Sequence, residues 1–123
     1  MSDLRPEDVF AVNSNIRWAG LATAKGEVIF SQMRPGVKSI TPEQDDRLLL
    51  ELRAQYITET SQRASRWAGS VEYIAVSYEK FMELIIILKE RYVVVTLEKN
   101  VTTQALPEIT KSVQNLNMEK RSA

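Results

Sequence analysis

The spacing of hydrophobic positions changes several times along the chain, and each change marks an element. Pro6-Glu7-Asp8 places a proline near the start of a short apolar stretch and acids where the positive end of a helix dipole favours them. This predicts a first helix running to about Asn13. Ile16 to Thr23 carries Ile16, Trp18 and Leu21, and Glu27 to Gln32 carries Val28, Ile29 and Phe30, with Ala24-Lys25-Gly26 between them. Two short apolar runs around a glycine-containing turn predict a β-hairpin. Arg34-Pro35-Gly36-Val37 then ends it, because Pro fixes φ at one central turn position and Gly accepts positive φ at the next.

Thr41-Pro42-Glu43-Gln44 is the strongest local signal: a hydroxyl N-cap, Pro at the first helical position, an acid next, and Gln at the capping-box position. Leu49, Leu52, Tyr56, Thr60, Ala64 and Trp67 then recur at steps of three or four, and neither Gly nor Pro intervenes before Gly69. A long helix from about Pro42 to Trp67 follows, with this stripe expected on a sheet. A second stripe, Leu50, Ala54 and Ile57, runs beside the first and makes the apolar face from Leu48 to Ile57 wider than one sheet contact requires. Leu50, Ala54 and Ile57, with Trp67 at the margin, are therefore the candidate partner contacts.

Val71 to Ser77 alternates, and Met82 to Leu88 and Tyr92 to Leu97 are dense in Ile, Val and Leu, which predicts three more strands. Their connections, Tyr78-Glu79-Lys80-Phe81 and Lys89-Glu90-Arg91, are too short for parallel crossovers, so the strands form an antiparallel meander. Leu106, Ile109, Val113 and Leu116 mark a last amphipathic helix, with Pro107 acceptable in its first turn. The apolar pattern stops there. One domain over residues 1–116 and a polar flexible tail over 117–123 are expected, in the order α-β-β-α-β-β-β-α.

Composition narrows the chemistry. The 123 residues are 44% hydrophobic and 26% charged, as in an ordinary globular domain, and 16 Lys and Arg balance 16 Asp and Glu. The balance argues against nucleic acid as a partner. Cys and His are both absent, which removes disulfides, thiol and imidazole catalysis, and the usual zinc ligands. The polar start Met1 to Arg5 lacks a secretory pattern, and the most apolar run is far short of the ~20 residues that cross a bilayer. A cytoplasmic protein without membrane insertion is expected. The four glycines form no phosphate-binding loop, and no metal or cofactor is expected to be needed for folding.

Glu43, Asp45 and Asp46 suit a helix's first turn better than a cation site. Arg17, Lys25, Arg34 and Lys38 are candidates for an anionic group, against the simpler reading as solubilising charge. Arg47, Arg53, Arg63 and Arg66 alternate with Glu51 and Glu59, as on a solvated helix surface. Ser31, Ser77 and Thr96 have no histidine to activate them, so catalysis is not expected.

The element order resembles the roadblock/dynein-light-chain domain, a profilin-like α/β (α+β) fold. Ile16-Arg17-Trp18-Ala19-Gly20-Leu21, Met33-Arg34-Pro35-Gly36-Val37 and Gly69-Ser70-Val71-Glu72-Tyr73-Ile74-Ala75 are similar to pieces of a set of small archaeal proteins of unknown function. The resemblance spans nearly the whole chain. It implies a five-stranded antiparallel sheet with the long helix on one face and the terminal helices on the other. It also implies homodimers through the long helix and an edge strand, and a non-enzymatic adaptor that docks on proteins such as small Ras-like GTPases. A different class stays open: a small-molecule sensor with a pocket between sheet and helices.

Overall fold

The computed structural model describes residues 3–122, the side chains of residues 56, 58, 60–62 and 122 excepted. Eight elements follow one another: α1 (Pro6–Phe10), β1 (Ile16–Thr23), β2 (Val28–Met33), α2 (Glu43–Ala68), β3 (Tyr73–Ser77), β4 (Phe81–Ile87), β5 (Arg91–Glu98) and α3 (Ala105–Ser122). The strands form one antiparallel sheet of five in the order β2-β1-β5-β4-β3. The expected fold class and element order are both present. β2 and β3 are the two edges, so α2 carries the chain from one side of the sheet to the other.

Strict alternation along the strands separates two cores. Ala19, Leu21, Leu84, Ile86, Val93 and Val95 face the terminal helices and pack with Val9 and Phe10 of α1 and Ile109 and Val113 of α3. Trp18, Ala22, Ile85, Tyr92 and Val94 point the other way and pack under α2. The placement of the long helix opposite the two terminal ones follows from this pattern.

Local boundaries differ in informative ways. The first helix stops at Phe10 because Asn13 turns the chain, its side-chain Oδ1 accepting from the Asn15 amide at 2.8 Å. At the start of α2, Pro42 is the N-cap and no side chain caps the helix; the Thr41 hydroxyl donates instead to the Asp46 carboxylate. Gly69 ends α2 with φ 82°, a conformation that a side chain disfavours. The polar segment expected as a tail from Asn117 continues α3 to Ser122, with Ala123 outside the described residues. Asn117 Oδ1 accepts from Arg91 Nη2 at 2.6 Å, Lys120 lies 3.6 Å from Asp8, and Lys120 and Arg121 suit the negative end of the helix dipole.

The two stripes on α2 exchange roles relative to expectation. Leu50, Ala54 and Ile57 are the buried ones, Leu50 being 1% exposed, and they sit on the sheet in the second core. Leu49 is 45% exposed and Leu52 54%, and Trp67 reaches 82%. The side chains of Tyr56 and Thr60, also assigned to the first stripe, lie outside the described residues. The physical reason is a missing side chain across the interface. A Cβ on Gly20 would come within 2.7 Å of Leu50 Cδ2 and 2.6 Å of Trp18 Cη2, so the glycine of β1 is the slot that receives Leu50. A Cβ on Gly26 would meet Ala54 only at an ordinary contact distance of 3.6 Å, so Gly20 is the position that decides the seating.

Candidate functional site

Leu50, Ala54 and Ile57 are covered by their own chain and offer little area to a partner, whereas Trp67 keeps its place as an exposed candidate. Among the described residues, the apolar surface that α2 presents is Leu48, Leu49 and Leu52, with Trp67 further along. Leaving such groups in water forfeits ~25 cal/mol for each Å² that a partner would cover. The wide face around Leu48 to Ile57 was visible in the sequence, but which half of it pointed outward was not.

The helix lies over β1 and β2 and leaves the β4 and β3 side of that sheet face less covered. It is tied to this side by Arg53. Its Nε and Nη2 donate to the two carboxylate oxygens of Glu83 at 2.8 Å each, and Nη2 also donates to the Tyr78 hydroxyl at 2.9 Å. The Tyr78 hydroxyl in turn donates to Glu83 at 3.2 Å. Bidentate pairing holds the Arg53 pKa above its ordinary value, against the opposing effect of burial. Glu83 is 6% exposed in the otherwise apolar strand Phe-Met-Glu-Leu-Ile-Ile-Ile, an irregularity that could have signalled the pair. β3 is an edge strand, so one side of its backbone has no strand neighbour in the described chain.

Beside Arg53 a cleft of about 360 Å³ opens between α2 and the sheet. Its floor is a cross-strand row in which Trp18 pairs with Thr96 and Thr96 with Glu83. Ile40, Leu49 and Phe81 form walls. The Trp18 indole N–H is satisfied outside the cleft, donating to Ser31 Oγ at 3.1 Å.

The remaining candidates are not gathered into a site. Arg34 donates to the carbonyls of Phe10, Asn13 and Ile16 at 2.6 to 2.7 Å, which closes the end of α1 rather than an anion pocket. Arg17 pairs with Glu98 at 2.7 Å, while Lys25 and Lys38 are exposed. Arg47, Arg63 and Arg66 are exposed on α2. Burial raises the Asp46 carboxyl, its acidic neighbours adding to the effect and the Thr41 hydroxyl opposing it. Among the described residues no group of three or more acids is placed to hold a metal ion, and no helix is long and apolar enough to cross a membrane. Ser77 Oγ accepts from Lys99 Nζ, which also donates to the Tyr78 carbonyl.

Comparison with solved structures decides the fold. A Roadblock/LC7 domain from Streptomyces avermitilis matches with a TM-score of 0.70 over 96% of this chain and 98% of that chain, at 13% identity. The chain has the roadblock/LC7 fold. A structure described as MglB with tetrameric arrangement matches with a TM-score of 0.72 over 94% of this chain and 85% of that chain, also at 13% identity. Profilin from Schizosaccharomyces pombe matches at 0.55, with 14% identity over 89% of this chain and 90% of that chain, which fits the profilin-like layering. No protein-family model and no curated protein sequence matches the chain. At these identities the likeness to the roadblock/LC7 structures is one of fold.

Proposed function

We propose that this chain is a non-enzymatic, cytoplasmic roadblock-type adaptor that pairs with a second copy of itself and docks a protein partner. The partner class that the roadblock resemblance implies is a small Ras-like GTPase. The observation that carries the reading is the exposed stripe Leu48, Leu49 and Leu52 on α2, beside a sheet half that α2 leaves less covered. A two-fold axis brings the same stripe from both chains together. The similarity to a protein described as tetrameric supports self-association.

Light scattering of the unmodified chain at micromolar concentration should give twice the chain mass. Leu52→Asp should shift the species to monomer with its circular dichroism unchanged, because Leu52 touches no core. Ile57→Asp should instead unfold the chain, since it drives a charge into the second core. A monomer mass for the unmodified protein sinks the reading. A Ras-like GTPase encoded beside this chain should co-elute with the dimer.

A further inference from the structure

α2 is held down on the sheet at one place and borders an open cleft at another. Leu50 enters the slot above Gly20, yet one residue row away a cleft lined by Leu49, Trp18, Thr96 and Glu83 stays open. A core built only for stability closes such space, because unfilled volume forfeits dispersion contacts, and a larger side chain at position 96 was available to fill it.

We propose that this cleft binds a small, uncharged, largely apolar molecule, packed between Trp18 and Leu49 with one polar group on the Thr96 hydroxyl. Size comes first. A volume of about 360 Å³ lies at the compact end of small-molecule sites, and its walls are mainly hydrocarbon and aromatic.

Charge comes second. The ionic side chains around the cleft are already engaged: Arg53 with Glu83, and Arg17 with Glu98. Asp46 accepts from Thr41, and burial disfavours its charged form. An ionic ligand would have to break one of these pairs or sit uncompensated at low dielectric, whereas a neutral one leaves them intact. Thr96 supplies the polar handle, since its hydroxyl makes no hydrogen bond within the described residues. Of the stripe proposed to pair with a second copy, Leu49 lines this cleft, whereas Leu48 and Leu52 do not.

The test uses the full chain and the neutral fluorophore N-phenyl-1-naphthylamine. Its emission should rise saturably, at one equivalent per chain. In a nitrogen-15 spectrum the indole N–H of Trp18 should move while that of Trp67, exposed and away from the cleft, stays. Thr96→Phe, which fills the floor, should weaken binding at least tenfold. Ile40→Asp, at a half-exposed wall position where folding is not at stake, should weaken it several-fold and stands in if Thr96→Phe misfolds. Leu52→Asp should bind like the unmodified chain. The proposal is overturned if emission never saturates, if Trp67 moves in place of Trp18, or if affinity is unchanged by the cleft substitutions.

Discussion

Gly20 and Tyr92 together set where the long helix sits. The glycine removes the one side chain that would hold Leu50 off β1, and the Tyr92 hydroxyl donates to the Leu50 carbonyl from β5, so helix backbone is anchored as well as packed. Burial pushes the Tyr92 phenol up to about 12, partly opposed by the Ala54 amide. A folded-state pKa above the ordinary value of 10.0 means that the folded chain holds the proton more tightly than the unfolded one. The corresponding stability is complete below pH 10 and is lost as pH rises through about 12. Tyr92→Phe should cost about 1 kcal/mol at pH 7, the usual net value of one hydrogen bond. It should also remove the part of alkaline unfolding that sets in above pH 10. Urea titrations at pH 7 and pH 11 check both; an equal deficit of the variant at the two values would show that the phenol proton is not linked to folding.

At the scale of elements, Arg53 and Glu83 join α2 to β4 across an otherwise apolar boundary. Removing one partner strands the other in a low-dielectric contact and should cost about 3 kcal/mol, whereas replacing both with apolar groups of similar volume is often neutral. Glu83→Leu alone should therefore lower the denaturation midpoint, and Arg53→Met with Glu83→Leu should recover most of the loss. A double variant as unstable as the sum of the singles would assign the pair no coupling.

Strands and connections were legible because short links leave antiparallel pairing as the only topology, and the end of α2 because Gly69 punctuates it. The rotation of α2 was not. Leu49 and Leu52 are as apolar as Leu50 and Ile57, and the choice between them rests on Gly20 and Tyr92, 29 or more positions away in the chain. The turns after residue 116 are likewise helical through Arg91 and Asp8, partners that no local pattern reveals. The candidate docking face was thus visible as an excess of leucine, but its residues were interchanged with those of the core. The cleft was foreshadowed only as a pocket between sheet and helices, since its floor assembles from three strands.

Across the whole molecule, one sheet carries two cores of unequal cover. The terminal helices close one face and are tied by ion pairs, Arg91 with Asp3 at 2.9 Å and Lys120 with Asp8. The guanidinium of Arg91 holds the Asp3 carboxyl below its ordinary range. On the opposite face, α2 shields the β1 and β2 side and exposes its own leucines. If a second copy completes this face, folding and association are linked, and each folded dimer gains about 1.4 kcal/mol, about 0.7 per chain, for each tenfold rise in protein concentration. The thermal midpoint should then climb by a few degrees over a hundredfold concentration series, a range of about 2.7 kcal/mol per dimer. Leu52→Asp should flatten that dependence and lower the midpoint most at high concentration, where the unmodified chain gains most from its partner. A midpoint that stays constant for the unmodified chain over the same series would mean that the leucine stripe is not covered by a second copy.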